Sequence, residues 1–191
     1  SMTYMLNQIR LALISWGAVF FCILHLYTAI YGAPESKLFL TVHLTMAMVR
    51  VFMIKPLGSG MIARLIDLVL CTMAFSILAY MLFNFDEWDL RNFALGLWDY
   101  VTGIILILLI AESVRRTIGL ALIFVALFFM VQALFADYFP GVFYGAPTSF
   151  ESLLSALYIG NAGIYGVPLG VVAHYVVLFI IFGEALSVCG A

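Results

Sequence analysis

The sequence predicts an all-α polytopic membrane protein, with about six transmembrane helices and one amphipathic helix on the outer face. Three observations carry that prediction. Of 191 residues, 66% are hydrophobic and 9% charged, against about 45–50% and about 25% in a soluble domain, so polar side chains are too few to coat a water-facing globule. The apolar residues gather into six runs close to the roughly 20 residues that cross a bilayer. The cations, finally, are shared unevenly between the loops that alternate along those runs.

The runs cover roughly residues 11–31, 37–54, 64–84, 97–114, 118–136 and 167–188, each bounded by charges, Gly or Pro. The first follows Arg10, exceeds the apolar core of a signal peptide and is followed by no convincing small-residue cleavage site, so it reads as an uncleaved span. With the N-terminus inside, Arg10, Lys55, Arg64, Arg115 and Arg116 fall on the inner side, and Lys37 and Arg91 on the outer. Cytoplasmic loops retain cations, so both termini are expected in the cytoplasm. The acidic loop with Asp86, Glu87 and Asp89, and the segment with Asp137 and Glu151, then face outward.

Within 148–159, Phe150, Leu153, Leu154, Leu157 and Tyr158 recur at helical spacing, and Thr148 with Glu151 has the pattern of a capping box. A segment this short cannot cross, which makes it an amphipathic helix on the outer surface or against its neighbours. Glycines at 160, 163, 166 and 170 with Pro168 then form an interrupted approach to the last span. Such breaks expose backbone and need protein cover.

Composition and motifs also exclude functions. A formal charge of -2 without a basic run gives nothing for nucleic acid to bind. Cys22, Cys71 and Cys189 stand singly and suggest neither a disulfide framework nor a metal site. No HExxH string and no serine nucleophile in a Gly-rich turn occurs, and Ser15, Ser76 and Thr102 read as hydroxyls bonded to their own helix carbonyls. No catalytic constellation is expected, and the aromatic residues, Trp16, Trp88 and Trp98 among them, suit interfacial belts and lipid-facing helices.

Charged residues inside spans each call for a partner or a task. Arg50 and Asp67 lie near the inner ends of consecutive antiparallel spans and are read as a structural ion pair, with Arg64 one turn before Asp67. The alternative is a coupling-ion or proton site at Asp67. Glu112 precedes Arg115 and Arg116 by three and four residues, the spacing of helix-surface ion pairs. Glu184, near the inner end of the last span, can snorkel. His25 and His43 sit at matched depth on neighbouring helices; they either clamp a haem iron or hydrogen-bond within the bundle, and His174 has no evident partner.

Ordered strings then point to a family. ESVRRTIGLAL at 112–122, YFPG at 138–141, LY at 157–158 leading into GIYGVPLGV at 163–171, and FIIFG at 179–183 with CGA at 189–191 resemble the fused permease of TAXI-type TRAP transporters, the tripartite ATP-independent periplasmic carriers. The first four spans resemble that family's small membrane subunit more loosely, through hydropathy, Leu26-Tyr27-Thr28 and His43. The resemblance implies a bacterial inner-membrane secondary transporter that takes up organic-acid anions from an extracytoplasmic binding protein, driven by a sodium or proton gradient. It divides the chain into a four-helix small-permease-like unit (1–117), a connecting span with an extracytoplasmic amphipathic segment (118–166), and the first helix of the large permease unit (167–191). Ser1 ahead of Met2 looks like a tag remnant, and the remainder of the large unit is expected beyond Ala191.

On this reading the helices are scaffold, with no cofactor of their own beyond the coupling ion of the whole transporter. The outer segment around Glu151 helps dock the binding protein, and the glycines at 166 and 170 either share that surface or line the substrate route. Two other readings compete: a haem-binding electron-transfer protein using His25 and His43, and an assembly subunit that takes no part in transport.

Overall fold

The computed structural model describes residues 2–91 and 94–190, and every regular element among them is helical. The longer helices are α1 (Met2–Tyr31), α2 (Ser36–Ile54), α3 (Met61–Phe83), α4 (Leu97–Thr117), α5 (Leu120–Leu134), α6 (Phe150–Ile159) and α7 (Val167–Cys189), with a single short turn of helix over Phe85–Trp88 between α3 and α4. Among the described residues, α1 to α4 and α7 are the five long and apolar enough to cross a bilayer. The molecule is an all-α polytopic membrane protein.

The chain reverses where its sequence cannot continue a helix. Gly32, at φ 90°, closes α1, with its N–H on the Thr28 carbonyl at 3.0 Å. Pro56 follows the C-terminus of α2, because proline has no N–H to give the preceding turn. The core lies where α2, α3 and α4 meet. Phe39, Leu40, Met48 and Phe52 of α2, Ala74, Ile77 and Met81 of α3, and Leu106 and Leu109 of α4 are all buried. The wholly buried Ala74 is small enough to let helix backbones approach. By contrast α5 buries none of its residues, and α1 turns Trp16, Ile23 and Ile30 outward.

The fifth predicted span is shorter than expected. Helix α5 has 15 residues, about 22 Å at 1.5 Å per residue, where the hydrocarbon core measures about 30 Å. Its apolar run is trimmed at both ends. At the start, Ile118 and Gly119 are used to turn out of α4, with Gly119 at φ 110°. At the end, residues 136–148 fold back: Gly145 N–H donates to the Ala136 carbonyl at 3.1 Å, Thr148 N–H to the Ala133 carbonyl at 2.8 Å, and the Gln132 amide to the Phe143 carbonyl at 2.9 Å. Hydropathy saw the run and missed the turns that consume its ends.

The amphipathic helix is present as α6, with its cap one residue later than predicted. Ser149, not Thr148, is the N-cap, accepting from Ser152 N–H at 3.1 Å. The second half of α6 is a π-turn over Ser155–Ile159, and α7 contains another over Val172–Val176. Helix α7 starts at Val167 and continues to Cys189, with Pro168 in its first turn, where no N–H is required. The interruption predicted before the last span is therefore confined to the loop between α6 and α7.

That loop depends on one glycine. A Cβ on Gly163 would sit 2.3 Å from both the Ala156 and Leu157 carbonyl oxygens, while Ile164 N–H donates to the same Leu157 carbonyl at 2.8 Å. The backbones pass too closely for a side chain. Gly163→Ala is expected to destabilise the protein by about 3 kcal/mol through overpacking. Gly17→Ala, in open space on α1, should change stability by no more than about 1 kcal/mol, in the stabilising direction. Thermal unfolding in detergent micelles checks both.

Candidate functional site

Three polar constellations lie inside this apolar bundle: one at each end of the α2–α3–α4 trio and one between α1 and α2. At the end that holds Lys55, Asp67 and Thr117, the guanidinium of Arg116 is the hub. Its side chain is 4% exposed, and it donates to Asp67 Oδ1 of α3 at 2.6 Å, to Glu112 Oε1 of α4 at 2.6 Å and to the Lys55 carbonyl beyond α2 at 3.1 Å. It also lies over the Phe52 ring at 5.1 Å. Arg115 binds Glu112 through two nitrogens, at 2.7 and 2.8 Å. The predicted lock of Glu112 on both arginines is present.

The predicted Arg50–Asp67 pair is not. Asp67 Oδ1 is taken by Arg116 and Oδ2 by Leu57 N–H at 3.1 Å, so α4 rather than α2 supplies its cation. Arg50 and Asp67 do share this end of the hairpin, but helix rotation decides which side chains face one another, and spacing along the chain does not report rotation between helices. Arg50 instead lines a surface groove with Phe21 and Ile54.

The opposite end is built around Asp99, wholly buried in the first turn of α4. Its Oδ2 accepts from Gly96 N–H at 2.8 Å, and its Oδ1 from the Tyr80 hydroxyl at 2.7 Å and from Arg91 at 3.5 Å. Arg91 also donates to Asn84 Oδ1 at 2.9 Å and Glu87 Oε2 at 2.7 Å, fastening the loop after α3 to the start of α4. Helix α6 is seated beside this network. Tyr158 donates to Thr102 Oγ1 at 2.8 Å, Lys37 donates to the Ile159 carbonyl at 2.8 Å, and Leu95 N–H meets Glu151 Oε1 at 3.4 Å. The fit is close, since a Cβ on Gly103 would fall 2.8 Å from the Tyr158 ring. Burial pushes the phenol pKa of Tyr158 up, and that of Tyr165 likewise, so both stay protonated donors.

Sequence reasoning missed several of these residues. Asp99 follows Gly96 by three, a helix-start spacing that could have marked it. Trp88, expected at an interfacial belt or a lipid-facing surface, is 1% exposed, with its ring edge-on to Tyr158 at 4.8 Å. Lys37, read only as an outward charge, is buried. Nothing in the local sequence distinguishes either from its exposed counterparts, because α6 arrives from more than fifty residues away to cover them.

The third constellation is the histidine pair. His25 Nδ1 is 2.7 Å from the Phe21 carbonyl, which makes it the donor there, and its Nε2 then accepts from His43 Nδ1 at 2.8 Å. Phe21 and Phe39 pack against the imidazoles, at 4.1 and 5.3 Å from the His25 ring. His174 of α7 lies against Phe39 at 5.0 Å and bonds the Gly170 carbonyl at 2.9 Å.

No protein-family model, curated protein or solved structure matches this chain. The site must be read from its geometry. Two imidazole nitrogens 2.8 Å apart leave no space for an iron between them, and the pair as folded is a hydrogen bond between helices. The described residues contain no group of three or more His, Cys, Asp or Glu placed to hold a metal ion.

If the pair acts structurally, His25→Phe and His43→Phe should each destabilise by about 1–3 kcal/mol, since each leaves a buried polar partner unsatisfied. The double variant should lose less than the sum. Thermal unfolding of the three variants checks this, and a bis-histidine Soret band on adding haem to the wild type would contradict the assignment.

Proposed function

We propose that these helices form the static membrane scaffold of a TRAP-type secondary transporter, one that takes up organic-acid anions delivered by an extracytoplasmic binding protein along a sodium or proton gradient. One observation carries the reading most: buried charged networks pin α3 to α4 at both ends and tie in the C-terminus of α2 at one of them, which makes the trio a rigid body rather than a sliding one. Carriers of this kind need a part that stays fixed in the bilayer while another moves. The ordered strings from residue 112 onward support the same family, and the apolar outer surfaces of α1, α5 and α7 suit contact with lipid or with further helices of a transporter.

The uneven distribution of Lys and Arg supports placing the Arg116 end on the cytoplasmic side of a bacterial inner membrane. Helix α6 then lies at the periplasmic side, where the exposed Glu151 belongs to the face offered to the binding protein. The haem reading is disfavoured by the direct His25–His43 bond.

Reconstituted alone in liposomes, the chain should accumulate no organic acid under an imposed sodium or proton gradient. Within the complete permease, joining Thr41→Cys of α2 to Met81→Cys of α3, whose side chains touch, in a disulfide should leave binding-protein-dependent uptake within about twofold, because a scaffold does not move there. Accumulation by the chain alone, or loss of uptake on cross-linking, would overturn the proposal.

A further inference from the structure

At the Arg116 end, the carboxylates of the α2–α4 trio are both committed: Glu112 to Arg115 and Arg116, Asp67 to Arg116. Two cations of α2 and its C-cap are left over. Arg50 and Lys55 have no hydrogen-bond or ion-pair partner for their side chains among the described residues, although they stand only five positions apart.

Both line one groove, about 350 Å³ in volume, between α1, α2 and the end of α4. The rest of its lining includes Phe21, Val51, Ile54 and Thr117. The groove's surface is almost wholly apolar, so Arg50 and Lys55 line it with their aliphatic stems, and their charged ends lie outside it, at the end where α2 leaves the membrane. A long cationic side chain in a span reaches toward the headgroup layer, and basic pockets between helices are where anionic headgroups bind. A second surface groove, along Tyr175, Leu178, Phe179 and Phe182 of α7, has no cation, so an apolar furrow alone does not bring charge with it.

We infer that this groove is a binding site for one anionic phospholipid, its phosphate held by Arg50 and Lys55 and one acyl chain lying along Phe21, Val51 and Ile54. The occupant follows from charge complementarity. A zwitterionic lipid would bring its own cation to two that already lack an anion, whereas a phosphatidylglycerol-like headgroup brings net negative charge to meet them. Such a lipid would also fill the space between α1 and α2 below the histidine pair.

Native mass spectrometry of the detergent-purified chain, titrated with phosphatidylglycerol or with phosphatidylcholine of the same acyl chains, tests this. The wild type should retain the first phosphatidylglycerol about tenfold more tightly than phosphatidylcholine. Arg50→Gln with Lys55→Gln should abolish that preference, while Arg64→Gln, an exposed cation at the same end but outside the groove, should keep it. Should the double variant fail to fold, Lys55→Gln alone, at an exposed position, should still lower the preference severalfold. Equal retention of the two lipids by the wild type, an undiminished preference in the Arg50 and Lys55 variants, or an equal loss in Arg64→Gln would overturn the site.

Discussion

A buried arginine in a membrane must be answered by an anion, and Arg116 organises this molecule by that requirement. Between helices in lipid, apolar contact discriminates weakly, because acyl chains are as apolar as leucine. A charge buried between helices, by contrast, is costly unless it finds a partner. The hub answers Arg116 from α3 through Asp67, from α4 through Glu112, and from the C-terminus of α2 through the Lys55 carbonyl and the Phe52 ring. Acyl chains offer no substitute for that set, and the burial of Arg116 keeps headgroups away from it. The trio is defined by its polar ends more than by its apolar middle.

The Asp99 network joins α3 to α4 at the other end and also fixes what lies outside the trio. Tyr80, Arg91 and Asn84 hold the loop after α3, which buries Trp88 as a floor for Tyr158. Helix α6 can then hand the Ile159 carbonyl to Lys37. Backbone groups at a helix C-terminus have no partner within the helix, so a buried lysine is a fitting solution there. Helices α1, α5 and α7 are attached more lightly and keep apolar faces outward, an arrangement that suits a body embedded in something larger.

Much of this was legible in the sequence. Hydropathy and length place α2 to α4 and α7 near their observed bounds, but α1 only at its end, since that helix begins at Met2, ahead of the apolar run that starts at residue 11; the i, i+3 and i+4 spacing of Glu112, Arg115 and Arg116 gives their ion pairs, because these signals are local to one helix. The amphipathic character of α6 is local too. What could not be read needs the rotation of one helix against another. Asp67 pairs with Arg116 rather than Arg50, and His25 touches His43 instead of facing it across a cofactor, for reasons that lie in three-dimensional packing. The shortness of α5 is a different kind of miss: turns at Gly119 and after Leu134 are made of apolar residues, and hydropathy counts them as span.

The most direct measurement is a pair of double-mutant cycles on reversible unfolding in detergent, one between Asp67→Ala and Arg116→Ala, the other between Asp67→Ala and Arg50→Ala. Interhelical charge pairing at the hub predicts a coupling of about 1.5 kcal/mol or more in the first cycle and within about 0.5 kcal/mol of zero in the second. Coupling that vanishes in the first cycle, or moves to Arg50, would contradict the account.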